Sequence, residues 1–168
     1  MSLLVREPFA DESNRDLEEM EMQVFRMQDD IKRIAKKWDV VGIDHSKEDN
    51  LVIVYKHEEE ERCNIMINDC ESAFRGVWDF AVQALFPDRD RIHIGDIKGP
   101  ENKGYGSICI DYLKELAQDK NIPYITGDIS ERDWDHLERL IHFYEKHNFT
   151  VDVDYEEKWG HITWKQGH

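Results

Sequence analysis

From Asn14 to Trp38 apolar residues return in alternating steps of three and four: Leu17, Met20, Val24, Met27, Ile31, Ile34 and Trp38. That spacing lines them along one stripe, so the segment is predicted as a long helix. Ser13 followed by Asp16 has the form of a capping box at its start. Acidic side chains crowd its first half (Asp16, Glu18, Glu19, Glu21) and basic ones its second (Lys32, Arg33, Lys36, Lys37). The helix dipole favours that order. Such a stripe suits packing on the protein's own sheet, or a coiled-coil seam that would make a homodimer.

The period then shortens to two. "VVGIDH" from Val40, "NLVIVYK" from Asn50 and "CNIMIN" from Cys63 read as strands separated by polar turns. In "GVWDFAVQALF" from Gly76, Trp78, Phe80 and Val82 alternate, which predicts a strand pairing across "PDRD" with "RIHIGDI" from Arg91. Continued alternation sets Asp96 on the face of Ile92 and Ile94, partly buried, with His93 on the other. Ile108, Cys109, Tyr112, Leu113, Leu116 and Ala117 mark a helix face, and "IPYIT" from Ile122 another strand. Ser130 and Asp133 form a second capping box, opening a helix through Trp134, Leu137, Leu140, Ile141 and Tyr144. "FTVDVDY" from Phe149 and "HITW" from His161 complete a hairpin. This order specifies an α/β fold, a mixed central sheet flanked by helices with a partly parallel centre. Residues 1–168 read as a single domain: a helical extension to 38, strands over 39–75, and a core over 76–168.

Composition narrows the choice of partners. The chain has 168 residues, enough for a real core, and a formal net charge of −15. A surface this acidic repels nucleic acid and anionic membranes, attracts a cationic ligand such as an amine, and serves solubility. No apolar run is long enough to span a bilayer, and "MSLLVREPFADES" is too short in its apolar part for a signal peptide. Cys63, Cys70 and Cys109 form no CxxC pair and read as buried thiols of a cytoplasmic protein. His136, His142 and His147 share no i, i+4 face, and no HExxH or Cys/His cluster exists, so no metal is expected.

Lys98 to Ser107, "KGPENKGYGS", lies between a strand and a helix. Gly99 and Gly104 have Walker spacing, but Tyr105 and Gly106 stand where lysine and a hydroxyl are required. That argues against a nucleotide switch. Gly104 and Gly106 supply only two glycines of a dinucleotide fingerprint, before Cys109. What remains is a GxG loop at a helix start, whose free N–H groups and partial positive charge form a metal-independent pyrophosphate cradle. Its candidate residues are Ile97, Lys98, Asn102, Lys103, Gly104, Tyr105, Gly106 and Ser107, with Lys98 and Lys103 adding charge.

The stretch from "IHIGDI" through "NKGYGS" and "IPYITGDIS" to "FYEKHNF" resembles the GNAT superfamily of acyl-CoA-dependent N-acyltransferases, over about Gly76 to Trp164. Glu101 to Gly106 matches the family's [Arg/Gln]-x-x-Gly-x-[Gly/Ala] loop except at Glu101, and Tyr144 to Phe149 matches its "YEKLGF" phrase with Asn148 for glycine. Leu137 stands where the family often has an asparagine that contacts the cofactor. The resemblance implies a GNAT-like fold with acetyl-CoA as cosubstrate and a small-molecule or peptidyl amine as acceptor. It further implies polarisation of the thioester by a backbone N–H of the Ile94–Ile97 segment, with Tyr144 as general acid. Asp96 is the candidate base, His93 a lesser one. Glu101 and Leu137 favour the alternative, a GNAT-fold module that binds or scaffolds without catalysis.

Overall fold

The computed structural model describes residues 2–71 and 73–167. Its centre is an eight-stranded sheet built from β1 (Asp39–His45), β2 (Leu51–Glu58), β3 (Arg62–Asp69), β4 (Phe80–Leu85), β5 (Arg91–Lys98), β6 (Tyr124–Ile129), β7 (Thr150–Asp154) and β8 (Trp159–Lys165). The spatial order is β1-β2-β3-β4-β5-β6-β8-β7. Among the described residues only β5 and β6 run parallel, joined by helix α2 (Tyr105–Asp119). A 3₁₀ turn, Glu131–His136, leads into helix α3 (Leu137–Lys146). The fold class read from the periodicity is therefore the one observed.

Helix α1 spans Ser2–Ile34, so Ser13 lies inside it and does not cap it. The chain ahead of Ser13 is itself helical, which removes the free N–H groups that a cap would serve. The helix also stops before Trp38, which instead closes an aromatic group with Tyr55 and Phe74. The apolar stripe is split. Met27, Ile31, Ile34 and Trp38 pack on Ile53, Tyr55 and Met66, while Leu17, Met20 and Val24 stay exposed. Buried Asp30 fixes the docked half, accepting from the Phe74 N–H at 2.9 Å and from Asn68 Nδ2 at 3.2 Å. Truncating fully buried Ile34 to alanine removes packing worth about 2–5 kcal/mol.

The opposite sheet face carries the larger core, where Ile65, Ile67, Val82, Ile92 and Ile125 meet Cys109, Leu113 and Leu116 of α2 and Tyr144 of α3. Trp78 precedes β4 and packs on the α1 side, so it does not share the face of Phe80 and Val82. Cys63, Cys70 and Cys109 are buried and unbridged, and burial pushes the Cys63 thiol up to about 11.

One irregularity shapes the site. Ala84 pairs with Ile94 but Gln83 pairs with Asp96, leaving Gly95 as the extra residue of a β-bulge. The bulge shifts the alternation by one, so Asp96 joins the face of His93 and leaves that of Ile92 and Ile94. The pairing of β5 with β6 ends at Ile94 opposite Gly127, after which the strands part.

Candidate active site

A cavity of about 520 Å³ opens where β5 and β6 part. Its walls are Ile94 to Ile97, Gly127 to Ile129, the loop ahead of α2, and one face of the 3₁₀ turn and α3. Gly99, Asn102 and Gly104 all have positive φ (135°, 63° and 80°), which winds the loop toward the helix start. A Cβ at Gly99 would meet the Phe80 ring at 2.6 Å, so no other residue fits there. No side chain caps α2 at Gly104, and its first main-chain bond runs from the Ile108 N–H to the Gly104 oxygen at 3.3 Å. The N–H groups of Gly104, Tyr105, Gly106 and Ser107 are thus the donors that the helix itself leaves open. A Cβ at Gly106 would lie 3.2 Å from the Phe143 ring, so this glycine also sets how closely α3 approaches.

Eight of the ten residues singled out in the sequence line this cavity: Asp96, Ile97, Asn102, Gly104, Tyr105, Gly106, Ser107 and Tyr144. Lys98 and Lys103 lie outside its lining. Lys98 Nζ is 3.5 Å from Asp96, and the Lys103 carbonyl accepts from the Lys47 N–H at 3.1 Å. The Tyr105 ring is buried edge-on to Phe80, with its hydroxyl facing Asp69, so only its backbone faces a ligand. The Ser107 hydroxyl is 2.8 Å from His147 Nε2, and burial holds that imidazole below its usual pKa.

Positive charge comes from residues that sequence reasoning missed: Lys47, Arg132, Arg139 and Lys146, with the His136 and His142 rings beside them. The signal was present in the spacing of His136, Arg139, Phe143 and Lys146, which places them on one helix face. The lining also holds Asp96, Glu101, Asp128 and Asp133, so the basic excess is confined to the 3₁₀ turn and α3, where Arg132, Arg139 and Lys146 stand against Asp133 alone. Glu101 does not stand free in the loop: Arg139 Nη2 is 2.9 Å from its carboxylate. Leu137 is buried in the core and gives the cavity no polar group. Asn148 takes the left-handed conformation expected for it, with φ 66°.

Tyr144 is buried and lines the cavity, and burial, then the Asp133 charge, push its phenol up to about 12. It therefore stays protonated as a donor. Asp96 is committed to local partners: Oδ1 accepts from the Ile97 N–H at 2.9 Å, and Lys98 and Arg132 lie 3.5 Å and 3.9 Å from the carboxylate. Asp96 is partly buried as expected, but not beside Ile92 and Ile94, because the Gly95 bulge turns it to the other face. Gly95 itself has no register partner on either neighbouring strand, at the point where the cavity begins.

Known structures share the overall shape of this chain. The chain superposes on the GNAT domain of S. lividans PAT with a TM-score of 0.58, covering 74% of this chain and 96% of that one at 7% identity. A GNAT family acetyltransferase from Elizabethkingia anophelis with acetyl-CoA bound gives a TM-score of 0.50, covering 68% of this chain and 97% of that one at 9% identity. The fold is the GNAT fold. No protein-family model matches the sequence. The chain is 49% identical over 160 residues to the uncharacterized protein YocC of Bacillus subtilis (strain 168), covering 95% of this chain and 96% of that protein, and it belongs to the same family.

Proposed function

We propose that this chain is an N-acetyltransferase that moves an acetyl group from acetyl-CoA to a primary amine of a small molecule or peptide. The observation that carries the reading is the uncapped start of α2, opening into a cavity between parted strands whose α3 side carries Arg139 and Lys146. Oriented N–H groups at a helix N-terminus are a pyrophosphate site without metal, and the cavity volume is within the range of small-ligand sites. The N–H groups of Gly104 to Ser107 would hold the pyrophosphate, while Lys47, Arg139 and Lys146 would neutralise the phosphates.

Each remaining demand of acyl transfer has a candidate on the cavity wall. The thioester carbonyl needs a donor where negative charge develops, and the backbone of the Ile94–Ile97 segment, freed at Gly95, supplies it. The departing sulfur needs a proton, and Tyr144 is a protonated donor on the α3 side. Asp96, tied to Arg132 and Lys98, serves better to orient than to accept a proton.

Isothermal titration with acetyl-CoA, followed by thiol-release assays on spermidine, kanamycin and a lysine-bearing peptide, tests this reading. Saturable binding and turnover of at least one amine are expected. Absence of acetyl-CoA binding at millimolar concentration would sink it. Binding without turnover of any amine would favour the non-catalytic GNAT-fold module.

A further inference from the structure

The sheet face opposite α2 and α3 turns polar beyond β4. Asp128 is the first residue of β6 past its pairing with β5, and it lines the cavity. Its carboxylate is half exposed and sits between two imidazoles. Oδ1 is 3.2 Å from His161 Nδ1, and Oδ2 is 3.3 Å from His93 Nε2. His93 Nδ1 is 2.8 Å from the Oγ1 of buried Thr126.

The hydrogen positions follow from the chemistry of these groups. An ionised carboxylate only accepts, so His161 donates its Nδ1–H to Asp128, while His93 Nε2 lies beside the carboxylate at 3.3 Å without hydrogen-bond alignment. His93 is held at Nδ1 by its hydrogen bond with the Thr126 hydroxyl. His161 differs, because its second nitrogen, Nε2, keeps a lone pair with no hydrogen-bond partner among the described residues. The ring is held flat against Trp159, with centroids 6.1 Å apart. A carboxylate that fixes the tautomer of an imidazole whose other nitrogen is free is the arrangement of a general base. The other charged groups on this face are Arg91 and Asp96 on β5, the latter already paired with Lys98 and Arg132, Lys165 on β8, and Asp152 and Asp154 on β7, register partners of His161 and Trp159.

We propose that Asp128 and His161 form the base of the transfer, with His93 and Thr126 as positioning residues. This rests on the acetyl-transfer reading above. Asp128, on the cavity lining, draws the cationic acceptor toward the mouth, and His161, just outside that lining, meets its ammonium through Nε2. An N–H bond of that ammonium breaks, its electron pair stays on nitrogen, and the proton goes to His161 Nε2. The nitrogen pair then forms the C–N bond to the thioester carbonyl carbon. The C–S bond breaks with its pair on sulfur, which takes its proton from Tyr144. The remaining extra proton on nitrogen returns through water to the Tyr144 oxygen, and the imidazolium releases its own to solvent.

The test is steady-state thiol release across pH with spermidine, kanamycin and a lysine-bearing peptide, for the full chain and for His161→Gln, Asp128→Asn and His93→Gln. Acetyl-CoA titration of each variant serves as a check on the fold. His161→Gln is expected to lose about 100-fold in kcat and the acid-side fall of its pH profile, at unchanged acetyl-CoA affinity. Asp128→Asn is expected to lower kcat and also raise KM for the amine, whereas His93→Gln loses less and keeps the acid limb. If His161→Gln and Asp128→Asn both stay within about twofold of the parent chain from about pH 6 to about pH 9, this proposal is overturned alone. A parent chain that neither binds acetyl-CoA nor releases thiol overturns the transfer reading and this proposal together.

Discussion

The starts of α2 and of the 3₁₀ turn ahead of α3 differ in one respect. At the second, the Asp133 carboxylate reaches back to the Ser130 N–H at 3.0 Å and to its hydroxyl at 3.3 Å, so donors are satisfied within the chain. At the first, Gly104 offers no side chain and the donors face a cavity. Local physics favours capping, typically by about 1 kcal/mol. A helix that forgoes its cap beside Arg139 and Lys146 has left its donors for something else. The contrast separates an element that is closed for stability from one that is open for a ligand.

The largest break in that contrast comes from Gly106→Val. Its Cβ would already crowd Phe143, and its methyls would cover the open donors. Acetyl-CoA affinity is expected to fall by about 100-fold or more, roughly 2.7 kcal/mol, as read by calorimetry. Tyr144→Phe leaves affinity unchanged but lowers turnover by about 100-fold in thiol release, since it removes the proton donor alone. At the closed end, Ser130→Ala is expected to cost about 1 kcal/mol of stability in chemical denaturation and to leave acetyl-CoA affinity where it was.

A pH effect sharpens the comparison from the α2 side. His147 touches Ser107, and burial holds its pKa below the usual value. The unfolded chain therefore takes up a proton before the folded one as pH falls through the ordinary histidine value. Stability is present above that value and declines below it, toward the lowered pKa. Thermal melts should show this acid-side loss, and His147→Gln should flatten it. The smallest effect is at Glu101→Gln, which frees Arg139 from its ion pair and is expected to raise acetyl-CoA affinity by about two- to threefold.

What the sequence revealed is what local rules govern. The GxG loop, the Asp133-to-Ser130 contact and the left-handed turn at Asn148 each depend on a few consecutive residues, and each stands where it was placed. Tyr144 was placed by resemblance, and it lines the cavity. The misses have other causes. Asp96 was assigned to a face by counting alternation, and one extra residue at Gly95 reversed it. Lys98 and Lys103 were chosen for charge near the loop, whereas the basic side chains on the cavity come from the turn before β2, the 3₁₀ turn and α3, which only the tertiary fold brings there. The pairing of Glu101 with Arg139 and the array of His93, Asp128 and His161 are equally non-local. The stripe on α1 was read correctly as a stripe, but periodicity does not report where the sheet beneath it ends.

The most direct test is an amide-resolved NMR titration of the chain with acetyl-CoA. The account predicts that the backbone amides of Gly104 to Ser107 shift downfield with saturation, while those of Glu131 to Asp133 at the closed turn move little. Static Gly104–Ser107 amides at millimolar acetyl-CoA would contradict it.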